Sequence, residues 1–170
     1  GNLVLSVPNC NDLEPGSFLV QITPDNKVEK LVKFSQHPVT GKPAGPLGVC
    51  LAPNGDLFVA DYQMTGDRQS RVLRVSMNNG KVVDVKPVIT GFHVSNAVLV
   101  HDGCLYVSET QIDPEATPAT SGVFRFELAE LRDGPIQLAE NETEDPHLLD
   151  IIHVHDETLP LGADGLCFDK

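Results

Sequence analysis

Short apolar stretches, separated by turn residues, run along the whole chain. Residues 95–109 show this pattern most clearly, because apolar residues lead up to Asp102-Gly103 and continue after it. Both turn residues accept the positive φ angles of a type I′ turn, so the sequence predicts a strand, a tight turn and a second strand. Asn96 lies at the start of the first strand, where burial alone gives no reason for a polar side chain.

The same pattern recurs at 46–61, around the turn Asn54-Gly55, and begins again at 163–169. Residues 1–8 begin with Gly1 and continue as an apolar strand. In the same way, the second strand of each hairpin comes directly after Gly55 or Gly103. The apolar pattern predicts further strands at 16–22, 28–34, 71–75, 82–89, 122–126 and 148–154. Repeating units of four short strands are typical of β-propeller blades. The alternative is a β-sandwich whose hairpins happen to be similar.

The predicted fold is all-β, with about three four-stranded blades that make half of a six-bladed ring in a single partial domain. We expect blades at residues 1–45, 46–92 and 93–161, and the start of a further blade at 162–170. A helical turn is expected around Ala129-Glu130-Leu131. The first blade then lacks an inner strand, and open edges favour pairing. Either the chain belongs to a longer one, or two copies form a homodimer by pairing 163–169 of one with 1–8 of the other.

Composition narrows the possible partners. The net charge of −12 argues against binding to nucleic acid or to an anionic membrane surface, and it favours cations near the protein. No stretch is long and apolar enough to span a membrane, and the compartment stays open between cytoplasm, periplasm and secretion. Cys10, Cys50, Cys104 and Cys167 lack the CxxC spacing of a zinc site. The last three lie in apolar strands and are expected to be buried free thiols.

Aligning the copies on their turn glycines places Gly48, Asn96 and Asp164 at one position, the start of each innermost strand. In a propeller, residues at this position point into the axial channel from successive blades. An amide oxygen and a carboxylate that converge there suit a hard cation such as Ca²⁺. The alternative is that Asn96 and Asp164 only bond backbone N–H groups at the strand ends.

Histidines and acids near these strands are the next candidates for catalysis. The ordinary pKa of a histidine suits a general base, so His155 is a candidate at the channel mouth; otherwise it is a solvated loop residue. His93 has the same two possibilities. Glu109 and Asp61 follow the second strands and are expected to make hydrogen bonds between blades rather than to react. No Gly-x-Ser-x-Gly motif is present, which argues against a serine hydrolase.

Residues 45–62 resemble a propeller repeat of the NHL type, and Ser95-Asn96 and 163–165 resemble the central-channel motifs of the SMP-30/gluconolactonase/LRE-like family. The resemblance implies a six-bladed propeller with a divalent metal, usually calcium, on its axis, and hydrolysis of a small lactone or ester. It implies that Asn96 and Asp164 are metal ligands, and Asp164 and His155 become candidate catalytic residues.

The match to the family's site is incomplete. The family also uses a Glu from a motif that opens its first blade, and Glu14-Pro15-Gly16 stands at a different phase of the repeat. The alternative function is therefore a non-catalytic propeller that binds a ligand or another protein.

Overall fold

The computed structural model describes residues 1–8, 16–63, 67–116, 118–153 and 162–169. Over these residues the backbone forms three sheets, and the strands of each sheet follow one another closely in the sequence. The strands are β1 (Leu3–Val7), β2 (Phe18–Ile22), β3 (Val28–Lys33), β4 (Pro46–Leu51), β5 (Leu57–Asp61), β6 (Ser70–Asn78), β7 (Lys81–Phe92), β8 (Ser95–His101), β9 (Cys104–Asp113), β10 (Thr120–Glu127), β11 (Ile136–Gln137) and β12 (Leu148–His153).

The first sheet has the order β1-β2-β3, the second β11-β7-β6-β5-β4 and the third β12-β10-β9-β8. Neighbouring strands are antiparallel, except that β11 runs parallel to β7. In each sheet, the strand that comes first in the sequence contacts its counterpart in the next sheet. β1 packs beside β4, and β4 packs beside β8. The starts of β4 and β8 are therefore brought side by side.

The second sheet is buried on both faces. Side chains alternate between the two faces of a strand, so β5 sends Leu57 and Val59 to one side and Phe58 and Ala60 to the other. Leu57 and Val59 belong to the apolar cluster shared with the first sheet, which includes Leu19. Phe58 and Ala60 belong to a larger cluster shared with the third sheet. This alternation explains why every residue of β5 is buried.

The predicted hairpins are confirmed. Asp102 has φ 45° and Gly103 φ 76°, as a type I′ turn requires, and β8 and β9 close directly on this turn. The expected helical turn is also present, as a 3₁₀ helix at Glu130–Arg132. The outer strand predicted at 148–154 is observed as Leu148–His153.

Two expectations fail in the final segment. The sequence predicts a strand at 163–169, but residues 162–169 have no assigned strand, since none of the described strands pairs with this backbone. Cys167 was expected in the core and is exposed, whereas Cys104 is buried and Cys50 is half-buried. In addition, no pattern in the sequence indicates β11, which joins the second sheet from within the third repeat.

The two acids at the ends of the second strands act within their own sheets, which corrects the expectation of bonds between blades. Asp61 accepts a 2.8 Å hydrogen bond from the N–H of Gly45, one residue before β4, and pairs with Arg71 at 2.7 Å. Glu109 accepts a hydrogen bond from the N–H of Val94, one residue before β8. Each carboxyl group therefore holds the chain where it enters the inner strand.

Across the described ranges, no helix is long and apolar enough to cross a membrane.

Candidate functional site

The inner strands surround an open groove of about 430 Å³. It is lined by residues at the starts of β4 and β8, by the end of β1 and by the segment 162–169. The lining residues are Ser6, Pro8, Pro46, Leu47, Gly48, Asn96, Ala97, Asp164 and Gly165. Both predicted metal ligands, Asn96 and Asp164, thus lie in the same groove.

Strand register shows that Leu47, not Gly48, is the residue equivalent to Asn96. Val49 pairs with Val59 in the second sheet, and Val98 pairs with the equivalent Val107 in the third. The alignment on turn glycines was one residue out because the second hairpin has a longer loop. In the second hairpin, the N–H of Ala52 donates a hydrogen bond to the backbone carbonyl of Asp56, which leaves three residues in the loop. In the third-sheet hairpin, the loop is only Asp102-Gly103.

A hydrogen bond that occurs twice in the structure shows which residue Asp164 is equivalent to. Ser6 Oγ donates a 2.6 Å hydrogen bond to the carbonyl of Leu47, and Ser108 Oγ, at the equivalent position of β9, donates a 2.7 Å bond to the carbonyl of Asp164. Asp164 therefore corresponds to Leu47 and Asn96. The series at the start of the inner strands is an apolar side chain, an amide and a carboxylate.

Gly48 is needed for packing and not for a position in the channel. A Cβ atom at this residue would lie 2.6 Å from the carbonyl oxygen of Asn96, 2.8 Å from Cα of Ala97 and 2.9 Å from the backbone nitrogen of Val98. The backbones of β4 and β8 approach this closely only because Gly48 has no side chain.

Thr110 fixes the orientation of Asn96. Its hydroxyl donates a 2.8 Å hydrogen bond to the carbonyl of Ala163, so it can only accept from Asn96, whose Nδ2 lies 3.1 Å away. The amide nitrogen of Asn96 therefore faces Thr110, and its Oδ1 remains a free acceptor at the groove. No hydrogen bond to Oδ1 from another described residue is present.

Two more hydroxyls complete what we call the hydroxyl clasp, formed by Ser108, Thr110 and Ser121. Ser108 accepts from the N–H of Ala97 at 2.9 Å while it donates to Asp164. Ser121 accepts from the N–H of Ala163 at 2.8 Å and donates to the carbonyl of Thr110 at 2.8 Å. Each hydroxyl acts as both donor and acceptor. The clasp therefore fixes the backbone of residues 163–164 beside β8.

The clasp was not predicted, although the sequence contains a signal of a polar contact. Ser108 and Thr110 are hydroxyl residues two positions apart on one face of β9, and both are buried. Buried hydroxyls need partners, so two of them at spacing i, i+2 indicate a polar contact with a neighbouring segment.

Removing the Thr110 hydroxyl should loosen residues 163–164. Thr110→Val keeps the shape of the side chain but leaves the Ala163 carbonyl without a donor and the Asn96 amide without an acceptor. We expect a loss of about 1–3 kcal/mol in the free energy of unfolding, measured by urea titration. Thr110→Ser should retain most of the wild-type stability. A loss in Thr110→Ser with none in Thr110→Val would show that the methyl group, and not the hydroxyl, matters.

The candidate histidines do not gather at the groove. His155 lies outside the described residues. His153 is exposed at the end of β12. His93, a candidate for the channel mouth, has Nδ1 3.3 Å from Asp67 and Nε2 3.7 Å from Glu142. Burial lowers the pKa of His93, which favours its neutral form at neutral pH.

His93 belongs to a second polar cluster, which the sequence pattern does not predict. Glu142 is 2% exposed, and Arg68 Nη2 lies 3.9 Å from its Oε1. Among the described residues, neither carboxyl oxygen of Glu142 has a hydrogen-bond partner. Burial raises the pKa of Glu142 to about 8. Burial also raises the pKa of the fully buried Glu109, and the charge of Glu142 raises it further.

The metal-binding capacity of the chain rests on few side chains. Among residues that the structure describes, no group of three or more His, Cys, Asp or Glu side chains could hold a metal ion. The groove offers the exposed carboxylate of Asp164 and the free amide oxygen of Asn96. Both are hard oxygen donors of the kind Ca²⁺ takes, but a complete calcium shell has about six to eight such ligands. The donors fit calcium in kind and fall short in number.

Comparison with solved structures supports the architecture. The chain superimposes with a TM-score of 0.59 on an X-ray structure described as that of a candidate gluconolactonase, at 18% sequence identity and over 99% of the present chain. The fold is a partial β-propeller. The chain spans about half of that solved structure, because the match covers 48% of it. At this identity the likeness shows the fold alone. No model of a known protein family matches the chain, and neither does any curated protein.

Proposed function

We propose that the groove binds a divalent cation, best suited to calcium, and that in a closed ring it supports the hydrolysis of a small lactone or ester. The observation that carries the proposal is the placement of Asn96 and Asp164. They occupy equivalent positions on successive inner segments and line one groove, and Thr110 turns the amide oxygen of Asn96 toward it. The family resemblance and the gluconolactonase description of the structural neighbour agree with this proposal.

The residues present have separate tasks in such a site. Asn96 and Asp164 would hold the cation, and the hydroxyl clasp would keep them at a fixed separation. When bound, the cation would act as a Lewis acid toward a carbonyl oxygen. Pro46 and Leu47 also line the groove and add apolar surface to it, which suits the hydrocarbon part of a lactone ring. His155 and Asp164 remain candidates for the residue that accepts a proton from water.

Calcium titration by calorimetry tests the cation site. We expect Asn96→Ala and Asp164→Ala each to weaken calcium binding at least about tenfold, because each removes one of few protein oxygens. Asp169→Ala is the matched control, since it removes an exposed carboxylate of the same segment that does not line the groove. If Asp169→Ala weakens binding as much as Asp164→Ala does, the effect is one of overall charge and the proposed site is wrong.

A specific observation favours a second candidate, a non-catalytic binding module. Leu47 occupies the position of Asn96 and Asp164 and supplies no side-chain oxygen, so the series of donors is interrupted. Hydrolysis of glucono-1,5-lactone, followed by acid release in a pH-stat at saturating calcium, separates the two functions. Calcium-dependent turnover that is lost in Asp164→Ala supports hydrolysis. Calcium binding without turnover by a closed ring supports the binding module.

A further inference from the structure

A second pocket lies between the second and third sheets, at the far end of β4 from the groove. Its volume is about 220 Å³. It is lined by the loop between β4 and β5, by Phe58 and Arg74 of the second sheet, and by Leu128 and Arg132 in the segment after β10. The pocket shares no lining residue with the groove, so it is separate from the proposed cation site.

Arg74 reaches this pocket from the second sheet. It lies opposite Phe58 in the pairing of β5 with β6, and Phe58 belongs to the apolar cluster shared with the third sheet. Side chains of residues directly opposite each other lie on the same face of a sheet, so Arg74 extends toward the third sheet. Its Nη1 lies 3.4 Å from the carbonyl oxygen of Leu131, in the segment after β10.

The hydrogen bonding of Arg74 is incomplete. A guanidinium group has five N–H donors in a planar fork. The Nε of Arg74 is buried and has no partner within the described residues, and the bond from Nη1 to Leu131 is long. A buried donor without an acceptor destabilises the folded protein. The Nε of Arg74 is therefore a donor that gains from an acceptor placed in the pocket.

Arg132 supplies a second guanidinium group at the same pocket. It ends the 3₁₀ helix directly after Leu131, and its side chain is exposed. No hydrogen bond or ion pair joins this side chain to any residue that the structure describes. Arg71, by contrast, pairs with the buried Asp61 at 2.7 Å. Two arginines without an ion pair to a described acid thus line one pocket, in a chain with 24 acidic residues.

We propose that this pocket binds a small organic acid in its ionised form, with the carboxylate on Arg74 and Arg132. A guanidinium group matches a carboxylate through two parallel N–H···O hydrogen bonds. Phe58 and Leu128 line the same pocket and provide apolar surface for the hydrocarbon part of the molecule. Pockets for drug-sized ligands measure about 300–1,000 Å³, so the volume of this pocket suits a smaller molecule.

Charge around the pocket favours a ligand with one negative charge over a ligand with two. Asp56 also lines the pocket, and its oxygens already accept hydrogen bonds from the N–H of Met77 at 2.9 Å and from Asn54 Nδ2 at 3.0 Å. Asp84, which pairs with Lys86 at 2.9 Å, adds negative charge nearby. A carboxylate should therefore bind better than a phosphate monoester, which carries nearly two charges at neutral pH.

Calorimetric titration with benzoate tests the site, because benzoate joins one carboxylate to a flat apolar ring. We expect one benzoate per chain with a dissociation constant on the order of 1 mM. Arg132→Gln should weaken binding at least about tenfold, since it removes a charged hydrogen-bond donor. Arg125→Gln is the matched control, because it removes the same charge from an exposed residue that does not line the pocket. Equal weakening by the two substitutions, or no saturable binding by the wild type, would overturn the proposal.

Arg74→Lys tests the guanidinium fork without removing the charge. Lysine has no Nε and no planar fork, so benzoate should bind several-fold more weakly to this variant. Unchanged affinity would contradict the role assigned to Arg74. Arg132 is exposed, so its substitution tests the site even if Arg74→Lys fails to fold.

Two analogues of benzoate separate the chemistry of the ligand. Benzamide has the same ring without the charge, and it should not bind at concentrations that saturate with benzoate. Phenyl phosphate should bind more weakly than benzoate because of its second charge. Equal binding of benzamide would show an apolar pocket only, and tighter binding of phenyl phosphate would show a phosphate site. Either result would reject the proposal.

Chemical modification locates the ligand on the protein. Phenylglyoxal reacts with guanidinium groups, and peptide mass spectrometry reports the modification of each arginine separately. Saturating benzoate should slow the modification of Arg132 several-fold and leave that of the exposed Arg125 unchanged. Equal protection of both arginines, or protection of neither, would contradict the proposed site.

The outcome does not depend on the proposed cation site. Asp164 lines the groove and not this pocket, so Asp164→Ala should bind benzoate as the wild type does. Loss of benzoate binding in this variant would place the ligand in the groove and overturn the inference.

Discussion

Replacing Gly48 with alanine should destabilise the fold by about 2–3 kcal/mol. The new Cβ would overlap three backbone atoms of β8, and backbone atoms inside a paired sheet cannot move aside as the end of a flexible side chain can. Overpacking of this kind typically costs about 1–3 kcal/mol. Alanine gains up to about 1 kcal/mol from its lower entropy in the unfolded chain, so the steric cost wins.

Urea unfolding followed by circular dichroism measures this loss. Gly103→Asn is a suitable control, because Gly103 has φ 76°, a Cβ added there would meet no atom within 4 Å, and asparagine tolerates positive φ. We expect the control to lose less than about 1 kcal/mol. If Gly48→Ala is as stable as the wild type, β4 and β8 separate more easily than the close contact indicates.

Raising the pH from 5 to 8 should remove about 3 kcal/mol of stability through Glu142 alone. Its folded pKa, about 8, lies above the ordinary value of 4.5. The unfolded chain therefore releases this proton near pH 4.5, while the folded protein keeps it until about pH 8. Between these values the folded state binds more protons, so stability falls as the pH rises. One pKa unit corresponds to about 1.36 kcal/mol.

Charged groups around Glu142 shift its pKa both up and down. Arg68 favours its charged form, while Asp145 and Asp67 oppose it. His93 has the opposite effect on the pH dependence of stability, because its pKa is lowered in the folded protein. Near pH 6 the unfolded chain therefore binds more protons at His93 than the folded protein does, so stability rises with pH there. A comparison with a variant that lacks only the Glu142 charge is therefore needed.

Glu142→Gln should show a flatter dependence of unfolding free energy on pH and should be more stable than the wild type at pH 8. Glu144→Gln changes an exposed residue of the same 3₁₀ helix and should follow the wild-type curve. Parallel curves for wild type and Glu142→Gln would mean that Glu142 is ionised in the folded protein throughout this range.

The hairpins could be predicted because their signals are local. Asp102-Gly103 needs only its own backbone preferences to specify a turn, and the strands beside it follow from alternation of apolar residues. The grouping of strands into sheets followed from the repeat of this pattern. Asn96 stands out for a similar reason, because a polar residue interrupts an apolar strand.

The rest of the site depends on which strands meet in space. Aligning turn glycines could not show that one hairpin has a loop of three residues and the other a loop of two, and so Gly48 was assigned the place that Leu47 occupies. Ser121 and Ala163 are 42 residues apart in sequence, and Arg68 and Glu142 are still farther apart. A single sequence contains no pattern that identifies which residues this far apart are partners.

The two-residue strand β11 has a consequence for how the protein opens. It leaves the third repeat, pairs with Ile89 and Thr90 of β7, and places Leu138 in the cluster shared by the second and third sheets. The second and third sheets therefore cannot separate without exposing that cluster and breaking the pairing of β11 with β7. We therefore expect the second and third sheets to open together, and the first sheet, which is held by a smaller cluster, to detach alone.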